Sequence, residues 1–117
     1  MRSAGSGPWP EGTVVTVGFE IGGTCYTAFN GGPGFPFTQA FSLVVHCADQ
    51  TEIDYYWEKL SAGGAEIQCG WLKDKFGMHW QIVPEKIFDL IKHPKAMEAM
   101  MHMVKLDIAA LESAAKP

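Results

Sequence analysis

GWLKDKFGMHWQIVP, Gly70 to Pro84, decides the fold of this chain. Asp74-Lys75-Phe76-Gly77 reads as a turn, with Gly77 free to take φ > 0. Beyond it, Met78, Trp80 and Ile82 alternate with His79, Gln81 and Val83, the period of two that marks a strand. Pro84 ends that strand because it has no N–H for the ladder. One face of the strand therefore offers His79 and Gln81, the other Trp80, and Trp71 stands on the strand before the turn. The run predicts a hairpin forming one wall of a lined cavity.

Toward the N-terminus, Ala65–Gln68 and Gly70–Lys73 read as short strands leading into the hairpin. The spacing of Ile53, Tyr56, Trp57 and Leu60 (i, i+3, i+4, i+7) predicts a helix over 51–62 with one buried face. Asp49 or Thr51 can cap it, each with an acid three residues on, and Gly63-Gly64 stops it. Gln39–Cys47 is a strand with Phe41, Leu43 and Val45 on one face and Ser42, Val44 and His46 on the other. Before it, Gly31–Phe37 is a loop. Thr13–Ile21 and Thr24–Asn30, rich in β-branched residues, form a hairpin around Gly22-Gly23. Residues 1–12, rich in Gly, Ser and Pro, read as a flexible lead or a loop.

After Pro84 the period becomes helical. Glu85–Ile91 is a short helix, and Pro94 opens a helix carrying Met97, Met100, Met101, Val104, Ile108 and Leu111. The methionine stripe reads as core or dimer packing, since Met fills irregular gaps. The fold class is α+β. A lead of 1–12 precedes a single domain over 13–117. Within it, 13–37 is an incomplete unit, 38–84 a βαβββ unit and 85–117 C-terminal helices.

The bulk properties set limits. A chain of 117 residues is one domain by length, and 47% hydrophobic against 19% charged residues suits a packed core rather than disorder. The net charge of −4, with no basic stripe, argues against nucleic acid. No apolar run approaches the ~20 residues that span a bilayer, and the N-terminus has no apolar stretch of a signal peptide. Cys25, Cys47 and Cys69 form no C-x-x-C pair, so a reduced, cytoplasmic setting is expected without a disulfide framework.

The strings TVVTVGFEIGGTCYTAFNGGP, FTQAFSLVVHCADQTEIDYYWEKLSAGG and QCGWLKDKFGMHWQIVP, with the tail AMEAMMHMVKLDIAALESA, identify a resemblance. Together they resemble the PhnB-like branch, labelled 3-demethylubiquinone-9 3-methyltransferase, of the vicinal oxygen chelate superfamily. Glyoxalase I, bleomycin-resistance proteins and extradiol dioxygenases share that superfamily. The resemblance implies two βαβββ modules around a cavity, the second complete here and the first partial. Its members normally carry a strand, a helix and a strand before the segment that begins at Thr13. Either the chain is a truncated product or a homodimer supplies what is missing.

The resemblance also implies a small organic ligand, for which the candidate binding residues are Asn30, Trp71, His79, Trp80 and Gln81. Each has a plain structural alternative: turn chemistry for Asn30, core packing for the tryptophans, a backbone-bonded amide for Gln81, and an exposed or paired ring for His79. The superfamily's metal ligands do not carry over. Its second-module histidine falls near Ala40 and its last-strand glutamate at Gln81, an apolar residue and a neutral amide. Neither a metal nor another cofactor is expected. The methyltransferase label lacks a glycine-rich strand-to-helix turn, since Gly31–Gly34 leads to another strand. No nucleophile–base pair is legible, because Ser42 and His46 lie roughly 13 Å apart on an extended strand. The leading expectation is ligand binding in a homodimer. The alternatives are a metal-dependent glyoxalase- or dioxygenase-type enzyme and a remnant that only dimerises.

Overall fold

The computed structural model describes residues 1–117, which divide into two compact units, 1–36 and 37–117. The first unit is built on a hairpin of β1 (Thr16–Ile21) and β2 (Thr24–Phe29). Its register sets Phe19 opposite Tyr26, and their rings stack with centroids 5.4 Å apart. Gly22 and Gly23 both take positive φ (57° and 83°), the turn whose twist matches that of the strands. Residues 13–15, expected in the first strand, pair with the lead instead. Ser3 N–H donates to Thr13 O (2.7 Å), Val15 N–H donates to Met1 O (2.9 Å), and Arg2 bridges to Val14. Val15 is buried, whereas Val17, Phe19 and Ile21, on one face of β1, remain 50%, 42% and 48% exposed.

The second unit runs β3 (Leu43–Cys47), α1 (Gln50–Ser61), β4 (Ala65–Glu66), β5 (Trp71–Lys73), β6 (His79–Pro84), α2 (Ile87–Ile91), α3 (Pro94–Met101) and α4 (Ile108–Ala115). Its sheet has the order β3-β6-β5-β4, so the four strands of this unit form one sheet. β3 lies parallel to β6, a pairing that needs a crossover and obtains it from α1. Asp49 is the helix cap, its Oδ1 accepting from Glu52 N–H at 2.9 Å. The apolar stripe of α1 then lies on one sheet face, where Ile53 and Trp57 are buried with Cys47, Leu72 and Ile82. A second cluster joins Val83 to Ile87, Leu106 and Leu111, with Met100 and Met103 packed against it. Met97 and Met101 stay exposed, so only part of the methionine stripe is core.

The single helix expected after Pro94 is two helices, α3 ending at Met101 and α4 starting at Ile108. The cause lies at Cys69-Gly70, where two successive residues take left-handed φ (57° and 83°). Successive N–H groups in such a turn point to one side. They donate to Met103 O and Val104 O, both at 2.8 Å, and hold that backbone outside a helix. Asp107 restarts the helix by accepting from Ala110 N–H at 3.1 Å.

Gln50 fastens the same segment. Its Nε2 donates to Leu106 O (2.9 Å) and its Oε1 accepts from Ile108 N–H (2.8 Å). Lys105 pairs with Asp54 at 2.8 Å. The hydrogen bond from Lys105, then that from Gln50, holds the Asp54 carboxyl below its ordinary value. Gln50→Ala removes two bonds to backbone and is expected to cost about 1–2 kcal/mol. Urea unfolding should show a lower midpoint at unchanged slope; an unmoved midpoint would mean the clamp contributes nothing.

Candidate functional site

Cross-strand partners share a sheet face. Trp71 is opposite Gln81, Lys73 opposite His79, and Val44 beside Gln81. These residues lie on the face turned away from α1. Leu72, opposite Trp80, belongs to the helix side. At one end of the open face, Val83 is covered by the cluster of Ile87, Leu106 and Leu111. The rest of it carries Ser42, Gln81, Trp71, His79 and Lys73.

The polar groups on this face are only partly committed. Gln81 Nε2 donates to Ser42 Oγ at 2.9 Å, which fixes the amide across the β3–β6 pair. The Trp71 and His79 rings stand perpendicular (82°), with centroids 6.1 Å apart. His79 was expected to be exposed or paired. It is neither: only 4% of it is exposed, and its Nδ1 is buried without a partner. Trp71 Nε1 is likewise buried and unpartnered.

The structure thus brings three of the five expected residues together, Trp71, His79 and Gln81. Trp80 is not with them. It packs against the core under α1, and its Nε1 donates to Asp74 Oδ2 at 2.9 Å. Asn30 belongs to the 1–36 unit, where its amide does turn work: Nδ2 donates to Val14 O (3.1 Å) and Oδ1 accepts from Gly32 N–H (3.2 Å). Sequence reasoning missed Ser42 as a site residue, although its place two residues before Val44 puts it on the same face. Asp74 holds the expected turn, its Oδ1 accepting from Phe76 and Met78 N–H (2.9 and 3.0 Å). An acid at the first position of such a turn is well placed to accept these bonds.

A cavity of about 420 Å³ lies elsewhere, between His93–Lys95 and Ala114–Pro117. Its walls hold none of the five residues, and no polar group is buried unpaired within it, so the sheet face is the better candidate. No cluster of three or more His, Cys, Asp or Glu side chains could hold a metal ion. Nor is any helix long and apolar enough to cross a membrane.

The thiol of Cys47 is fully buried. Burial, then the charges of Glu52, Asp49 and Glu85, push its pKa up to about 11. A thiol reagent at pH 8 should label exposed Cys25 at once and reach Cys47 only after denaturant is added. Peptide mass mapping before and after unfolding checks this; equal labelling rates would contradict the burial.

A family model described as 3-demethylubiquinone-9 3-methyltransferase matches residues 1–83, which include every strand residue of the open face. The chain belongs to this family. No curated protein matches it. Among solved structures, the 3-demethylubiquinone-9 3-methyltransferase family likeness extends to the PhnB protein of Bacillus cereus. The identity is 33%, with a TM-score of 0.63 over 71% of this chain and 74% of that one. Protein PA1353 from Pseudomonas aeruginosa shares the fold at 18% identity, with a TM-score of 0.54 over 68% of this chain and 72% of that one.

Proposed function

We propose that the chain is a vicinal oxygen chelate-type binding protein. In this reading it holds a small organic molecule against the open face of the β3-β6-β5-β4 sheet, and a homodimer closes the cavity. The observation that carries this is the grouping of Trp71, His79, Gln81 and Ser42 on one face, with two buried polar atoms left unpaired. Aromatic walls with a few placed polar groups are what small-molecule sites are made of. The dimer rests on two further features. β3 pairs on one side only, leaving a five-residue edge, and the Val17-Phe19-Ile21 face of β1 is half exposed. Unpaired edges and a two-stranded apolar face both invite a second chain. An exposed free thiol at Cys25 suits the reducing cytoplasm.

The chemistry in the family name finds little support in these residues. A nucleotide-bearing methyl donor calls for a glycine-rich turn into a helix N-terminus. Gly31–Gly34 instead precedes the segment leading to β3, and the sheet has one parallel pair. A chelated metal fits no better, since Gln81 is a neutral amide already bonded to Ser42. No reaction step is therefore assigned.

A thermal-melt screen against small organic molecules tests the reading. A ligand at a hundred times its Kd should stabilise the fold by about 2.7 kcal/mol, an easily read rise in Tm. Gln81→Ala should weaken that ligand about tenfold, the loss of one or two polar contacts. Light scattering should give the mass of a dimer. A broad screen without any saturable shift would overturn the binding proposal, and a monomer at all concentrations would overturn the shared cavity.

A further inference from the structure

We infer that a second copy of this chain pairs antiparallel along β3, centred on Val45, and brings its own His46 beside Val44 on the open face. This rests on the homodimer in the reading above and names its seam. β3 is hydrogen-bonded along one side only, to β6. Glu85 N–H donates to Cys47 O at 2.8 Å, so the backbone of Cys47 faces β6. Backbone groups of alternate strand residues face the same side. Those of Leu43 and Val45 therefore face β6 too, and the N–H and C=O groups of Val44 and His46 face outward. Both residues are exposed, Val44 by 46%.

Edge strands repel partners by being very short or by carrying charge or proline. The other edge of the sheet, β4, has two residues, one of them Glu66. β3 has five, Leu43-Val44-Val45-His46-Cys47, without a proline or an acidic or a lysine or arginine side chain. This edge is also complementary to itself. Pairing its whole length about a two-fold axis sets Val45 opposite Val45, Val44 opposite His46 and Leu43 opposite Cys47. Each Val44–His46 pair then exchanges two backbone hydrogen bonds. Beyond the strand, Ser42 meets Ala48 and Phe41 meets Asp49, so no like charges are set opposite each other. Val44 already lies beside Gln81, and Gln81 opposite Trp71. His46 of the second copy extends that row by one strand, about 4.8 Å beyond Val44. The open face of one copy thus runs into that of the other.

The test uses the full chain with Cys25→Ser, which removes the exposed thiol. Antiparallel residues in a non-hydrogen-bonded pair have Cα atoms about 4.5 Å apart, within reach of a disulfide. Val45→Cys in this background should therefore give a disulfide-linked dimer on mild oxidation. Val44→Cys should not, because Val44 meets its own counterpart only diagonally, at about 7–8 Å. Val44→Pro removes an outward N–H that the single chain does not use, so a cooperative melt should survive. In a light-scattering dilution series it should weaken the dimer about thirtyfold, as expected for two lost backbone bonds. Val44→Lys, which charges the edge, gives the same reading should the proline variant fail to fold. A dimer that withstands both Val44 variants, or that crosslinks at Val44 rather than Val45, overturns this seam and leaves a homodimer through another surface standing. A chain that stays monomeric overturns the seam and the shared cavity together, and leaves the edge to a strand of another protein. Ligand binding is decided separately, by the melt screen.

Discussion

Gly64→Ala is expected to destabilise the 37–117 unit by about 3 kcal/mol, the upper range for forcing an atom into a packed site. The residue looks innocuous, exposed and just past the end of α1. Yet a Cβ there would overlap the Lys73 carbonyl oxygen and stand 2.7 Å from Asp74 C and 2.9 Å from Asp74 Cα. All three are backbone atoms at the end of β5, and none can rotate away as a side-chain tip would. The β4–β5 pair, Ala65 with Lys73 and Glu66 with Leu72, would have to separate or shift. At the usual entropy of unfolding for a unit of this size, the melt should fall by about 10–20 °C. Gly34→Ala is the control, because nothing lies within 4 Å of its added Cβ. A Gly64→Ala melt within about 2 °C of the parent would disprove the close approach.

Trp57→Ala should cost about 3–5 kcal/mol, the range for removing a large aromatic from a core. Trp57 is 4% exposed and joins Ile53 of the same helix to Cys47, Leu72 and Ile82 of the sheet. Its Nε1 also donates to Glu66 Oε1 at 2.6 Å, tying α1 to β4. Trp57→Phe separates the two contributions. It keeps most of the apolar contact and loses the bond, so about 1–2 kcal/mol is expected. Urea unfolding of both variants gives the comparison. Equal losses would mean that the hydrogen bond, rather than the packing, holds the helix to the sheet.

Local patterns were legible where the physics is local. The alternation after Gly77 assigned His79 and Gln81 to one face and Trp80 to the other, as the register has it. The α1 stripe follows from helix geometry, the structure chooses Asp49 over Thr51 as its cap, and Gly77 takes the positive φ (92°) its turn requires. What could not be read depends on contacts between distant segments. The Ser42–Gln81 bond spans 39 residues and exists because β3 pairs in parallel with β6 in one particular register. The break between α3 and α4 is imposed by Cys69 and Gly70, far back in the chain, against an unbroken helical pattern. Cys69 carries φ 57° without being glycine, a demand set by those same bonds. For His79, a period of two tells which way a ring points but says nothing about what covers it.

The Gln50 clamp bears on how a nascent chain becomes this structure. Gln50 opens α1, yet its side chain is satisfied by Leu106 and Ile108, 56 and 58 residues later. The Cys69 and Gly70 amides likewise wait for Met103 and Val104. On a ribosome, α1 and β3–β6 can all have emerged while these donors and acceptors still face water. Closing such wide loops is entropically unfavourable until many contacts offset it. The bonds from Gln50, Cys69 and Gly70 therefore form only once residues 103–108 have been synthesised, and they fasten the start of α1 to the segment before α4.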